Sequence, residues 1–216
     1  MSMLCPVCES PQCQVFQTVG DRTYLRCPTC LATFLHPDQR PGPDAERAEY
    51  QLHQNAQDDA HYRRFLRKLS DPLLQRLPPA SHGLDYGCGP GPALAALLRE
   101  AGHTVALYDP FFQPDPSVLS STYGFITCTE VIEHFHQPAA EFRRFDALLA
   151  PGGWLALMTN FQTDDSRFAG WHYRRDPTHV VFYREATLQW LAKHHGWRCE
   201  IPCPNVALMQ KPGSRS

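Results

Sequence analysis

The stretch Gly83-Leu84-Asp85-Tyr86-Gly87-Cys88-Gly89-Pro90-Gly91 decides how the rest of this chain is read. Residues 84–86 form a short apolar strand carrying one carboxylate, the glycines after it make a tight turn, and residues 93–101, rich in Ala and Leu, continue as a helix. In that order the turn exposes bare backbone beside a helix N-terminus. Missing Cβ atoms and unpaired amides there let a polar or anionic group approach closely.

Eighteen residues beyond Gly91, a second strand over 103–108 ends at Asp109. A carboxylate at that place can accept the hydroxyls of a ribose lying across the carboxyl edge of a parallel sheet. The glycine spacing narrows the choice of nucleoside. Dinucleotide folds use G-x-G-x-x-G to seat a pyrophosphate, whereas this loop reads G-x-G-x-G and follows Asp85, whose charge repels a pyrophosphate but suits a cationic ligand.

With these residues in place, the segment from Leu84 to Gly91 resembles the first motif of class I S-adenosylmethionine methyltransferases, and Asp109 is placed like that family's ribose-binding acid. Phe125-Ile126-Thr127-Cys128-Thr129-Glu130-Val131-Ile132-Glu133-His134 is similar to the family's fourth strand and the turn after it. Leu149-Ala150-Pro151-Gly152-Gly153-Trp154 is similar to the turn that introduces its fifth strand. Residues 197–202 and 205–210 look like its closing sixth and seventh strands, after a helix over 185–195. The resemblance covers about residues 80–212. It implies an α/β fold with a Rossmann-like seven-stranded sheet whose last strand is antiparallel. It also implies that S-adenosylmethionine is held by Asp85, Gly87, Cys88, Gly89, Gly91, Asp109, Pro110, Thr129 and Glu130. The chain departs from the family between Asp109 and Phe125, where fifteen residues are too few for a helix, a strand and an adenine-binding turn, so the third strand is short or missing. Gly124 stands where many relatives have Asp. Phe111 and Phe112 either cover the adenine or pack on the neighbouring helix.

Methyl transfer is an in-line displacement that mainly needs positioning, with a base only where the nucleophile must lose a proton. Acceptor groups are therefore expected after the fourth and fifth strands. Glu133, His134 and His136 follow the fourth. After the fifth, the long segment 160–183 contains Trp171-His172-Tyr173-Arg174-Arg175-Asp176-Pro177-Thr178-His179, and loops of this length commonly bind ligands. Its Asp-Pro-Thr-His run resembles one that lies near the acceptor in some small-molecule and sugar methyltransferases. His179 is the first catalytic candidate and His134 the second; Trp171, Tyr173 and Arg174 are candidates for holding the acceptor.

Ahead of this domain, Cys5-Pro6-Val7-Cys8 and Cys27-Pro28-Thr29-Cys30 make two C-x2-C knuckles separated by eighteen residues. A two-residue gap lets a turn present both thiolates to one tetrahedral Zn2+, so Cys5, Cys8, Cys27 and Cys30 read as a structural zinc ribbon. Residues 14–17 and 23–26 serve as the strands of its hairpin. Cys13 falls outside the pattern. A segment this short cannot bury a core of its own, so metal would supply its folding free energy.

The chain divides into a zinc ribbon (1–40), a linker with amphipathic helices (41–80) and the catalytic domain (81–216). In the connector a soft helix begins near Asp44. Tyr62, Phe65, Leu66 and Leu69 then mark one helix face, opposite Arg63, Arg64, Arg67 and Lys68. Asp71-Pro72 predicts a fresh helical start with Asp71 as N-cap. The 216 residues, 43% hydrophobic and 19% charged with net charge −2, belong with soluble globular chains. The first residues lack a secretory signal, and no run approaches eighteen apolar residues, which predicts a cytoplasmic protein without membrane contact. The expected function is methyl transfer to an O, N or C nucleophile of a small or sugar-like molecule. The alternatives are an RNA methyltransferase that grips RNA with the ribbon, and a non-catalytic interaction protein that binds the cofactor. RNA is not favoured, because Arg22, Arg26 and Arg40 in the ribbon are balanced by Glu9, Asp21 and Asp38.

Overall fold

A computed structural model describes residues 3–52 and 59–214. The main sheet contains β4 (His82–Tyr86), β5 (Thr104–Tyr108), β6 (Tyr123–Thr129), β7 (Leu149–Met158), β9 (Arg198–Cys203) and β10 (Val206–Gln210), in the order β5-β4-β6-β7-β10-β9. β4, β5, β6 and β7 run parallel; β10 is antiparallel to both β7 and β9. Alternation along the strands supplies two apolar faces. Ile126, Leu155, Leu157, Ala207 and Met209 point into one buried cluster, whereas Phe125, Trp154, Ala156, Met158, Val206 and Leu208 point into the other. The first face is covered by α4 (Pro138–Leu148) and α5 (Glu185–His194), the second by α2 (Ala60–Leu74) and α3 (Ala93–Glu100).

Six strands form this sheet, so the seven suggested by the resemblance are reduced at the expected point. After β5 the chain makes a tight turn in which Asp109 and Gln113 exchange backbone hydrogen bonds, then a 3-10 turn over Pro116–Ser120, and enters β6 directly. β5 is left as the sheet edge.

The connector differs from expectation at Pro72. There is no new helix at Asp71; α2 begins at the cap Asp59, whose carboxylate accepts from the amides of His61 and Tyr62 at 2.7 and 2.9 Å, and runs through Pro72. An internal proline frees the carbonyl four residues earlier. That carbonyl, on Lys68, accepts from the Cys203 thiol at 3.5 Å, and the helix ends within a turn of the proline. Burial of Leu66, Leu69 and Leu73 against the sheet outweighs the local break. The soft helix expected near Asp44 is α1 (Pro43–Tyr50).

The N-terminal segment is a hairpin, β1 (Gln14–Val19) with β2 (Arg22–Arg26), extended by β3 (Thr33–Leu35). Its two cysteine turns are built alike. In one, the Cys5 amide donates to Ser10 and Glu9 is left-handed; in the other, the Cys27 amide donates to Ala32 and Leu31 is left-handed. β3 then pairs with β8 (Val181–Phe182), a strand contributed by the long segment after β7. Tyr24, Phe34 and Leu35 consequently share one buried cluster with Phe168, Val180, Phe182 and Tyr183. No helix among the described residues is long and apolar enough to cross a membrane.

Because the ribbon and the main sheet share this core, they should unfold together. Truncating the fully buried Phe34 to Ala should cost about 3–5 kcal/mol. Thermal denaturation should show one transition at lower temperature, coincident by far-UV circular dichroism and tryptophan fluorescence. Two separated transitions would contradict the shared core.

Candidate active site

The turn after β4 can be made only by glycine at its first position. Gly87 has φ +77°, and a Cβ there would lie 2.5 Å from a Val131 methyl. The Gly87 and Cys88 amides donate to the Tyr108 carbonyl at 2.7 and 3.2 Å, clamping the loop to the end of β5. Asp109 completes the clamp: Oδ2 accepts from the Gly89 amide at 3.0 Å, and Oδ1 from the amides of Phe111 and Phe112 at 2.8 and 3.0 Å. A carboxylate has about four acceptor positions, so Oδ2 keeps one for a ligand. Beneath the loop, Asp85 is buried and accepts from the Thr127 hydroxyl at 2.8 Å; burial pushes its carboxyl up to about 6.

These elements border a cavity of about 1070 Å³, at the upper end of the ~300–1,000 Å³ usual for small-molecule sites. Of the expected cofactor residues, Gly87, Cys88, Gly89, Gly91, Asp109, Pro110, Thr129 and Glu130 line it. Asp85 lines a small adjoining recess instead, with Tyr62 and Thr129.

Asp176, His134 and His179 line the same cavity. The segment carrying Asp176 and His179 is tied to the turn after β6: the Val180 amide donates to the Glu133 carbonyl at 2.9 Å and the Tyr183 hydroxyl to that of Ile132 at 3.0 Å. This brings the two histidine rings within 4.7 Å. Each ring is oriented by a backbone carbonyl, His134 Nδ1 by Thr178 at 3.1 Å and His179 Nδ1 by Tyr173 at 2.7 Å. A carbonyl only accepts, so Nδ1 carries the proton in both neutral rings and Nε2 carries the lone pair. Asp176 Oδ2 lies 3.6 Å from His179 Nε2.

Two carboxylates meet at the hydroxyl of Tyr173, whose ring lies 4.1 Å from that of His179. Glu130 sits at φ +52° and Glu133 is wholly buried. The Tyr173 hydroxyl is hydrogen-bonded to Glu133 and lies 3.2 Å from Glu130. Burial raises Glu130 to about 7, and burial together with the charge of Glu130 raises Glu133 well above the carboxylate range.

The remaining acceptor candidates do not line the cavity. Trp171 packs among Phe168, Tyr173 and Phe182, and Arg174 donates to the Tyr24 hydroxyl at 3.1 Å and the Ala169 carbonyl at 2.9 Å. Their segment folds back on the ribbon, which absorbs these side chains as packing, while Tyr173 supports the carboxylates from below. Conversely, Glu46 and Tyr50 of α1 line the cavity without having been read as site residues. The Tyr50 ring lies 5.2 Å from both Phe111 and His134. The only signal in Pro43–Tyr50 was a lone aromatic on a polar helix.

The four ribbon cysteines converge, with all Sγ atoms within 4.8 Å of one another. Cys5 and Cys30 are 3.6 Å apart and Cys8 and Cys27 3.4 Å. Thiolates about 2.3 Å from one tetrahedral ion would be spaced by roughly 3.8 Å, so this soft donor set fits zinc.

A family model described as a methyltransferase domain matches residues 59–200. Among solved structures, the fold is similar to 1,6-didemethyltoxoflavin-N1-methyltransferase of Burkholderia thailandensis, a complex with 1,6-didemethyltoxoflavin and S-adenosylhomocysteine. The identity is 17%, covering 91% of this chain and 98% of that one, with TM-score 0.54. It is also similar to magnesium protoporphyrin IX methyltransferase from Synechocystis PCC 6803 with bound S-adenosylhomocysteine, at 14% identity over 81% and 97%, TM-score 0.51. An O-methyltransferase family protein from Burkholderia thailandensis matches at 15% identity and TM-score 0.50, over 71% of this chain and 59% of that protein. No curated protein matches the chain.

The buried Asp85 makes stability depend on pH. Its folded pKa of about 6 exceeds the ordinary 3.8, so the unfolded chain loses this proton first. Stability falls as pH rises from about 4 through about 6 and the loss is constant above that, reaching roughly 3 kcal/mol. Asp85→Asn should therefore be more stable than the parent at pH 8, with the gap closing toward pH 4 in paired thermal denaturation series; a gap independent of pH would contradict the assignment.

Proposed function

We propose that this chain, which belongs to the family of S-adenosylmethionine-dependent methyltransferase domains, methylates a small or sugar-like molecule through an ionisable nucleophile. The observation that carries this reading is that the glycine loop and Asp109 line the same cavity as the His134 and His179 pair. When bound, S-adenosylmethionine supplies an electrophilic methyl group on a sulfonium. The residues present suit it: bare backbone at Gly87 and Gly89, one open acceptor position on Asp109 for a ribose hydroxyl, and carboxylates rather than cations around the methionine end.

Within this reading Asp109 and the loop amides hold the nucleoside, with Pro110, Phe111 and Phe112 beside it. Thr129 and Glu130 face the methionine end. His134 and His179 bind and activate the acceptor. Glu46 and Tyr50 of α1 cover the acceptor, which favours a compact molecule over a polymer. The rim also carries Glu46, Glu141 and Asp176 against Arg144, a balance unsuited to phosphate backbones. For the ribbon, Cys5, Cys8, Cys27 and Cys30 are the residues that would hold zinc. Its role is to fix the segment bearing His179, through β3 and β8 and through Arg26 to Asp165 at 2.6 Å.

Titration calorimetry should show S-adenosylhomocysteine binding, weakened about 10- to 100-fold by Asp109→Ala through loss of a charge-assisted hydrogen bond. Turnover should appear with a panel of small hydroxylated acceptors and not with transfer RNA; methylation of the RNA alone would reverse the substrate reading. Reconstitution with Co2+ should give thiolate-to-cobalt charge-transfer absorption that Cys30→Ser abolishes, and chelation should lower the melting temperature of the whole chain.

A further inference from the structure

Behind the acceptor end lies a group that the fold leaves incompletely satisfied. Glu133 is wholly buried, and its Oε2 has no hydrogen-bond partner among the described residues. Its other oxygen is bonded to the Tyr173 hydroxyl, which also lies within hydrogen-bond distance of Glu130. Among the described residues no Lys or Arg forms an ion pair with either carboxylate. Buried carboxylates without a cation are costly, and the cost is ordinarily relieved by pairing or by metal coordination.

Two histidines meet this carboxylate. One ligand atom from each of Glu133, His134 and His179 lies within 4.8 Å of the others. Both rings donate from Nδ1 to backbone carbonyls, of Thr178 and Tyr173. This is the outer bond that orients metal-binding imidazoles, fixing the tautomer that presents Nε2. Tyr173 thus serves the cluster twice: its carbonyl orients His179 while its hydroxyl orients Glu133. His134 and His179 also line the cavity, so an ion at this cluster is reached from the acceptor side.

We propose that Glu133, His134 and His179 bind a divalent first-row transition cation at the acceptor end of the cavity, where it holds and acidifies a hydroxyl oxygen of the methyl acceptor. This rests on the methyltransferase reading and deepens it. Two imidazoles and a carboxylate suit Mn2+, Fe2+, Co2+ or Zn2+ and are unlike the all-thiolate ribbon. Three protein ligands leave positions open, so the class of acceptor is one with neighbouring oxygens that can occupy them, such as a vicinal diol. The hydroxyl bound to the cation loses its proton to solvent. Its oxygen then forms a bond to the methyl carbon as the carbon–sulfur bond breaks, and the electron pair of that bond remains on sulfur. The second carboxylate, Glu130, adds negative charge beside the cation, and α1 closes the site with Tyr50 against His134.

Mn2+ is the probe that separates this site from the ribbon, since thiolates bind it poorly. In the full-length protein, loss of the free Mn2+ electron paramagnetic resonance signal and titration calorimetry should both report one bound Mn2+. Glu133→Gln and His179→Gln should each weaken it by at least about tenfold. S-adenosylhomocysteine titrated into the same samples should bind parent and variants within about twofold, showing that they are folded. If Glu133→Gln fails to fold, His134→Gln, at the cavity wall, takes its place. Binding of S-adenosylhomocysteine without Mn2+ binding, or Mn2+ binding that none of the variants weakens, overturns the metal site and leaves the methyltransferase reading intact. Failure of the parent to bind S-adenosylhomocysteine overturns the reading on which the site rests.

Discussion

Val181 and Phe182 pair with Phe34 and Thr33, and through these few backbone hydrogen bonds the N-terminal sheet becomes part of the catalytic domain. The contact reaches further than its length suggests. Phe182 and Phe168 pack edge-to-face with each other and with Tyr24, and Asp165 receives both Arg26 and Arg184. Together they anchor both ends of the segment that delivers Asp176 and His179 to the cavity. A long connection of this kind would be costly to order alone. The ribbon supplies apolar surface against which it packs.

Charge organises the cavity in a complementary way. Asp85, Asp109, Glu130 and Glu133 all lie at or beneath its floor, largely removed from water. The groups that satisfy them are mostly neutral: the Thr127 and Tyr173 hydroxyls and the amides of Gly89, Phe111 and Phe112. These dipoles do not make good the loss of water, so Asp85, Glu130 and Glu133 all titrate above the ordinary carboxylate range, and a cationic ligand beside them gains most. Glu130 adds a cost of its own, since a left-handed non-glycine residue stores about 1–2 kcal/mol. Its amide is held by the Met158 carbonyl at 2.7 Å at the end of β7, so the strain is imposed where the cavity needs that side chain.

The parts legible in the sequence were those whose chemistry is local. Gly87 was readable because a turn with φ +77° against Val131 admits no Cβ, and the two cysteine knuckles because their four-residue turns repeat. Where the reading went astray, a distant partner had changed the outcome. Asp71-Pro72 carries a strong local signal for a helix start, yet α2 passes through it because Leu66, Leu69 and Leu73 are buried on one continuous face. In the loop after β7, Trp171 packs on Phe168 and Phe182 and Arg174 donates to Tyr24 of the ribbon, and Pro43–Tyr50 had almost no apolar pattern yet brings Tyr50 beside His134.

By itself the sequence determined the α/β class, the glycine loop with Asp109, the succession of strands with its missing third member and the pair of cysteine knuckles. These follow from hydrophobic period, glycine geometry and ligand spacing, all encoded within a few residues. The tertiary structure alone decided that His134, His179 and Glu133 share one locus. It also decided that Glu46 and Tyr50 of α1 line the cavity and that Val181–Phe182 pairs with the ribbon's β3. Each joins segments far apart in the chain, and such contacts are selected by the burial they complete rather than by any preference written in the segments themselves.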